Sequence, residues 1–130
     1  MKYYFNATVK GKSFEEAIEL VQAELKKEGF GVLNEIDIQS TLKNKIDVDF
    51  KKYKILGACN PHFAHKALMS EDKIGVFLPC NIVVEEHENG EVEVAAVDPI
   101  ASMSSVGNEK LVVLAGEVQA KLKRVIQGLS

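Results

Sequence analysis

The apolar side chains near the start of the chain predict a strand followed by a helix. Residues 3–10 are apolar at every second position, which is typical of a half-buried strand. From residue 14 the spacing changes to three and four, which predicts a helix ending at Glu28, with Gly29 just beyond it. Ser13 and Glu16 have the spacing of a capping box, which places the start of the helix.

The next segment alternates again and predicts a second strand over residues 31–38. Strict alternation divides its side chains between two faces, with Val32, Ile36 and Ile38 on one and Leu33, Glu35 and Asp37 on the other. Residues 39–47 have the spacing of one or two helical turns.

Residues 53–59 are apolar on both faces, which predicts a third strand in the interior of the sheet. Asn60 is a good helix N-cap and Pro61 suits the first helical position, so a short helix follows to about Met69.

Residues 76–86 and 91–97 form a predicted hairpin around Glu88-Asn89-Gly90. A two-residue loop would place glutamates directly opposite one another, which is unfavourable. A three-residue loop with Gly90 in the left-handed conformation collects the apolar side chains on one face. The predicted cross-strand pairs are Glu86 with Val92, Val84 with Val94, Ile82 with Ala96 and, by extension, Cys80 with Asp98.

The last part of the chain predicts an irregular segment over residues 100–107 and then a long helix. Asn108 caps this helix and Gly128 ends it. Its apolar positions form one buried stripe, made of Leu111, Leu114, Ala115, Val118, Leu122 and Val125.

These elements predict a single domain over residues 1–130. The expected fold is α+β, with two layers: a largely antiparallel five-stranded sheet and two long helices on one of its faces. The other sheet face is partly apolar, through Tyr4, Leu33, Val83, Ala95 and Val97. An apolar patch of this kind predicts a homodimer or a bound partner.

Charge narrows the range of partners. The net charge of −3 and the absence of a long basic cluster argue against binding to nucleic acid or to anionic membranes. The N-terminus becomes polar too soon for a signal peptide, and no apolar stretch approaches the length of a membrane span. We therefore expect a cytoplasmic protein whose two cysteines, Cys59 and Cys80, stay reduced.

Four segments of the chain carry a family resemblance. They read Gly-Phe-Gly-Val-Leu-Asn-Glu-Ile-Asp-Ile-Gln-Ser-Thr-Leu-Lys (29–43), Ile-Leu-Gly-Ala-Cys-Asn-Pro-His (55–62), Leu-Pro-Cys-Asn-Ile-Val-Val (78–84) and Val-Asp-Pro (97–99) with Met103 beyond. In order and spacing these segments resemble the conserved blocks of the family called domain of unknown function number 302. The chain departs from the family at residues 100–103, where the family has a more Met-rich segment.

The resemblance implies a fold like half of the TATA-binding protein, β-α-β4-α, usually found as a dimer. It implies no biochemical role and no DNA binding, because fold does not determine function.

The two Cys-Asn pairs are the strongest candidates for a functional site. If the third and fourth strands are antiparallel neighbours, Cys59 and Cys80 meet Asp98 at one edge of the sheet, where Asn60 and Asn81 can orient a ligand. Cys59 also precedes a helix, whose N-terminus lowers the pKa of a thiol. The alternative is structural: free cysteines are commonly buried, and Asn60 caps a helix.

A metal site is a weaker hypothesis. Cys59, His62, His65 and Cys80 offer a Cys2His2 set, although their spacing matches no zinc finger and two solvated histidines are the simpler interpretation. His87 is expected on the surface. Glu35 and Asp37 share a strand face, where a solvated pair is expected rather than an acid–base pair.

Three hypotheses for function follow, in order of preference. The first is a homodimeric module that binds a small ligand near Cys59, Asn60, Cys80, Asn81 and Asp98. The second is a thiol-dependent enzyme or redox protein with Cys59 as its reactive thiol. The third is a purely structural or protein-interaction domain. The sequence identifies neither a cofactor nor a reaction.

Overall fold

The computed structural model describes residues 2–130. Five strands are present: β1 Tyr4–Val9, β2 Gly31–Asp37, β3 Tyr53–Cys59, β4 Cys80–Glu86 and β5 Val92–Val97. The helices are α1 Phe14–Lys27, α2 Ile38–Ile46, α3 Pro61–Ser70, α4 Pro99–Met103 and α5 Glu109–Gln127. Two 3₁₀ segments cover Asp72–Phe77 and Ser104–Val106. No helix in residues 2–130 is long and apolar enough to cross a membrane.

The strands form one antiparallel sheet in the order β1-β5-β4-β3-β2. Helices α1 and α5 pack on one face of it, which confirms the predicted two-layer α+β fold. Strand β3 lies between β2 and β4, as its apolar character predicted. We call the face opposite α1 and α5 the open face.

Helix α1 follows the sequence prediction closely. The Ser13 side chain accepts a hydrogen bond from the Glu16 backbone, and the Glu16 side chain accepts one from the Ser13 backbone. Gly29, beyond the C-cap, has a φ of +83°, a conformation that glycine adopts without penalty. The predicted apolar stripe is buried, with Phe14, Ala17, Ile18, Val21 and Leu25 against the sheet.

The predicted hairpin register is confirmed. Ile82 pairs with Ala96, Val84 with Val94 and Glu86 with Val92, and Gly90 has a left-handed φ of +86°. The same register places Glu85 directly opposite Glu93 on the open face. The three-residue loop therefore moves the like-charge pair from one position to another rather than removing it.

Two segments differ from the prediction around β4 and β5. The strand expected from residue 76 begins only at Cys80, because Pro79 has no N–H to donate to a ladder. Residues 100–107, expected to be irregular, are mostly helical. The Asp98 side chain accepts a hydrogen bond from Ile100 N, and Pro99 occupies the first turn, so α4 has the usual start signals.

The predicted division of faces in β2 is wrong. Val32 pairs with Ala58 and packs against the core, but the register shifts between Val32 and Asn34. After this bulge Ile36 pairs with Ile55 on the open face, so Val32 and Ile36 lie on opposite faces. The sequence contains no glycine or proline at the bulge that would have signalled it.

The interior consists of two apolar clusters. The larger one joins the sheet to α1 and to the C-terminal half of α5. The smaller one joins α3, α4, the first 3₁₀ segment and the N-terminal half of α5, through Ala67, Ile74, Met103, Leu111 and Ala115. The junction of the two clusters lies beside the ends of β3 and β4, where both Cys-Asn pairs are placed.

Candidate functional site

A small cavity lies at the junction of the two apolar clusters; we call it the junction cavity. Its volume is about 40 Å³, which holds a few water molecules at most. Its lining is almost entirely apolar. Of the residues proposed from the sequence, Cys59, Asn60 and Cys80 line it. The condition on which the candidate site depended is met, because β3 and β4 are antiparallel neighbours and Ala58 pairs with Cys80.

The Cys80 thiol is buried and stays protonated at neutral pH. Burial raises its pKa from the ordinary value of 9.0 to about 11, and the nearby Cys59 adds to the effect. A thiol of this pKa is a poor nucleophile, because the thiolate is the reactive form. Cys59 is only partly buried and is the more accessible of the two.

The Asn60 amide is occupied by structural hydrogen bonds. Its oxygen accepts from the Phe63 backbone at 3.4 Å, which caps α3, and its nitrogen donates to the Glu28 carbonyl at 3.3 Å, beyond the end of α1. Asn60 is also buried. Because both halves of the amide are used, Asn60 ties α3 to α1 and has little left for a ligand.

The other two candidates lie outside the junction cavity. Asp98 faces the helix layer, as Cys80 does, but its carboxylate caps α4 and also accepts a hydrogen bond from Gln119 Nε2 at 3.1 Å. Asn81 is exposed on the open face, next to Gly57 in the register of β3 and β4. The structure therefore brings three of the five candidates together and separates Asn81 and Asp98 from them.

The predicted metal ligands are also divided. Cys59 and Cys80 line the junction cavity, whereas His62 and His65 are exposed on α3 and do not.

Glu35 and Asp37 share the helix-side face of β2 as predicted. The Asp37 side chain caps α2, and Glu35 accepts a long hydrogen bond of 3.5 Å from Gln22.

A larger concavity lies on the open face; we call it the open-face concavity. Its volume is about 420 Å³, ten times that of the junction cavity. Val83, Ala95 and Val97 form its apolar floor, and its rim carries Tyr3, Tyr4, Tyr53, Asn81, Glu85 and Glu93. Leu33, which the sequence assigned to this patch, lies at the bulge in β2 outside the concavity.

One end of the open-face concavity carries a cluster of hydrogen-bonded charges. Glu93 Oε1 is 2.7 Å from His87 Nε2, and Glu93 Oε2 accepts from Asn6 Nδ2 at 2.7 Å. Glu85 Oε1 accepts from Lys51 Nζ at 2.6 Å. The hydrogen bonds from Asn6 and then His87 hold the pKa of Glu93 below its usual value.

The sequence analysis missed this cluster because it assigned His87 to the surface. The signal was nevertheless present, since the predicted hairpin register already placed Glu85 opposite Glu93. His87 follows two residues after Glu85, so a side chain at the end of the strand can return to the same face.

Comparison with known proteins identifies the family. The model of the family described as "Domain of unknown function DUF302" matches residues 5–129. This chain belongs to the DUF302 family. A crystal structure of an uncharacterized conserved DUF302 protein from Bacillus stearothermophilus is 28% identical, covers 100% of both chains and superimposes with a TM-score of 0.92. A comparison with curated proteins found no match. The resemblance read from the four segments of this DUF302 chain is therefore confirmed.

Proposed function

We propose that this DUF302 protein is a homodimeric module that binds a small ligand in the open-face concavity. The observation that carries the proposal is the lining of the concavity, an apolar floor with a rim of tyrosine, asparagine and glutamate side chains, which is the usual composition of small-molecule sites. Its volume of about 420 Å³ is sufficient for a small ligand. The site includes Asn81, from the second Cys-Asn pair, and leaves Cys59, Asn60 and Cys80 in the junction cavity.

The side chains of the rim favour a neutral or cationic ligand. Asn81 is exposed and offers both a donor and an acceptor. Burial raises the pKa of Tyr53, so its hydroxyl stays neutral and can donate a hydrogen bond. Glu85 and Glu93 disfavour an anionic group at their end of the concavity.

A fragment screen followed by amide chemical shifts tests the ligand site. We expect small aromatic and amide fragments to shift Asn81, Val83 and Ala95. Ala95→Trp, which fills the floor, should remove these shifts, whereas Leu33→Trp, outside the concavity, should leave them. Shifts confined to Cys59 and Asn60 would move the site to the junction cavity, and a screen without binders would contradict the proposal.

The homodimer is proposed from apolar side chains that the concavity does not use. Large apolar residues are exposed on three elements that pack together, α3, the first 3₁₀ segment and α5: Leu68, Met69, Val76, Phe77, Val112 and Val113. We call these residues the end patch. A second copy of the chain would remove them from water.

Sedimentation tests the dimer. Val76→Asp should give a monomer without loss of fold, because Val76 is 80% exposed in the single chain. Ile46→Asp is the matched control, since Ile46 is 63% exposed on α2, outside the end patch. A monomeric wild-type protein would contradict the dimer, and a dimer that survives Val76→Asp would place the interface elsewhere.

The thiol-dependent enzyme is the less favoured alternative. Its proposed partner thiol, Cys80, has a pKa of about 11, and the exposed His62 and His65 do not line the cavity that holds the thiols. The hypothesis of a thiol-dependent enzyme requires that Cys59 react rapidly with iodoacetamide at neutral pH. The structural reading of the first Cys-Asn pair gains support from the two hydrogen bonds of Asn60.

The compartment and the excluded partners also belong to the proposal. Two free cysteines fit a reducing compartment, so we propose the cytoplasm. The net charge of −3 supports a protein that binds neither nucleic acid nor a membrane surface.

A further inference from the structure

We propose that Glu85, His87 and Glu93 bind a divalent transition-metal ion such as Zn²⁺ at the end of the open-face concavity. This deepens the proposed function, because the ion would supply the cationic group at the acidic end of the same site. The three side chains differ entirely from the Cys59, His62, His65 and Cys80 set considered from the sequence.

The donor atoms are already close to a ligand arrangement. One atom from each of the three side chains lies within 4.8 Å of the others, and all three side chains are half-buried. Three ligands around one zinc ion at about 2.0–2.1 Å lie roughly 3 to 3.5 Å apart. Small rotations of the side chains, without movement of the strands, therefore suffice to surround an ion.

The backbone holds the three residues in place. Glu85 and Glu93 are direct partners across β4 and β5, which sets the separation of their side chains. His87 is fixed by two backbone hydrogen bonds in the hairpin, from its own N–H to Glu91 O at 2.8 Å and from Gly90 N–H to its carbonyl at 2.9 Å. Glu85 and Glu93 thus lie on paired strands, and His87 is the first residue of the hairpin loop, held there by these two hydrogen bonds.

A metal ion would take the place of the present partners of one oxygen on each carboxylate. Asn6 donates a hydrogen bond to Oε2 of Glu93, and this contact orients the carboxylate so that its other oxygen, Oε1, lies beside His87. Lys51 contacts only Oε1 of Glu85 and extends from an exposed position. A divalent ion would displace the Lys51 ammonium, whose single charge only partly offsets the two opposed carboxylates.

The ligand types select the metal. An imidazole nitrogen with two carboxylates suits zinc and the neighbouring transition metals, whereas calcium and magnesium prefer oxygen ligands alone. Three protein ligands leave at least one coordination position open, as in zinc sites that bind a water or a substrate. Glu85 and Glu93 line the open-face concavity, so the proposed metal site borders the proposed ligand site.

Titration of the chelator-treated full chain with Zn²⁺ and with Co²⁺ tests the proposal. We expect one ion per chain, with a visible Co²⁺ spectrum typical of low coordination number. His87→Ala and Glu93→Gln should each weaken Zn²⁺ binding by at least about 10-fold, the lower end of the effect of losing even a supporting second-shell group. Glu85→Gln provides a third variant that leaves the hairpin turn untouched.

Matched controls separate this site from other metal ligands in the chain. His65→Ala removes an exposed histidine on α3, and Cys59→Ser removes the accessible thiol. Both variants should keep wild-type affinity. The proposal is overturned if the wild-type protein binds neither ion, or if Cys59→Ser abolishes binding while His87→Ala does not.

Zn²⁺ titration and the fragment screen together distinguish failure of the metal site from failure of the small-ligand site in the open-face concavity. If the metal site alone is wrong, fragments still shift Val83 and Ala95 but Zn²⁺ is not bound. If the organic ligand site alone is wrong, Zn²⁺ binding is lost in His87→Ala although the fragment screen finds no binder.

Discussion

The side chain of Asn34, on β2, lies directly over Gly57, on the neighbouring strand β3. The Asn34 Oδ1 atom lies within the space that a Cβ atom on Gly57 would need, and Pro79 Cγ would be 2.7 Å from the same Cβ. Gly57 pairs with Asn34 on one side and with Asn81 on the other, on the open face of the sheet. A residue without a side chain at this point lets Asn34 and Pro79 close over the strand.

Replacing Gly57 should therefore destabilise the fold. Gly57→Ala should lower the free energy of unfolding by about 1–3 kcal/mol, the usual effect of forcing an extra methyl into a packed site. Gly31→Ala is the matched control, since nothing lies within 4 Å of a Cβ at Gly31. Urea unfolding at constant m-value measures both. Equal effects of the two substitutions would contradict the steric argument.

Asn60 should contribute to stability and not to ligand binding. Asn60→Ala removes the cap of α3 and the link to Glu28 O, so we expect a loss of about 1–2 kcal/mol. Asn44→Ala makes the same chemical change at an exposed position of α2 and should have little effect. Thermal or urea unfolding measures the loss of stability of each variant. The fragment-induced chemical shifts on the open face should be the same in Asn60→Ala as in wild type. A stable Asn60→Ala protein with altered shifts would instead make Asn60 a ligand-binding residue.

The buried Cys80 thiol should make the protein less stable in alkali. Its pKa is about 11 in the folded chain against an ordinary 9.0. The folded state therefore retains the proton more tightly, so this contribution is fully present below pH 9.0 and is lost as the pH rises toward about 11. The difference corresponds to a loss on the order of 2–3 kcal/mol.

Unfolding free energies measured at intervals through this pH range, for wild type and Cys80→Ala, test the effect. The variant should be less stable at neutral pH, because it leaves a small cavity, but should lose less stability in alkali than wild type. Parallel pH profiles would show that Cys80 does not titrate as described.

The hydrogen bonds to Glu93 should appear in the acid stability of the protein. Asn6 and His87 hold the pKa of Glu93 below its usual value of 4.5. The resulting stabilisation is present above pH 4.5 and is lost as the pH falls through the lowered pKa. Asn6→Ala should therefore show a shallower loss of stability in acid, measured as unfolding midpoints from neutral pH downward.

Glu91→Gln is a suitable control for this measurement. Glu91 is an exposed carboxylate in the same hairpin, and its removal should leave the acid profile close to that of wild type. If Asn6→Ala and wild type have the same profile, the hydrogen bond from Asn6 does not determine the pKa of Glu93.

The sequence predicted a structural feature correctly where that feature depends on residues close together in the chain. The capping box of Ser13 and Glu16 and the cap at Asn60 involve residues three apart, and both are present as predicted. The hairpin register also followed from local sequence, because a left-handed Gly90 and the alternation of the flanking strands collect the apolar side chains on one face.

The candidate site could be predicted only in part. Cys59, Asn60 and Cys80 meet because β3 and β4 pair, a condition that the sequence left open. The bulge between Val32 and Asn34 could not be foreseen, since it depends on how β2 accommodates β3 rather than on a local residue type.

By itself, the sequence determined the order of the five strands and of the two long helices, because periodicity, caps and turns act over a few residues. It also determined the family to which the chain belongs. Only the tertiary structure decided that Asn81 faces away from the junction cavity and that the Asn60 amide donates to the Glu28 carbonyl. It also decided that the His87 side chain lies beside the two opposed glutamates, Glu85 and Glu93. These relationships depend on distances between strands and helices far apart in the chain, and such distances are set by packing and register rather than by local pattern.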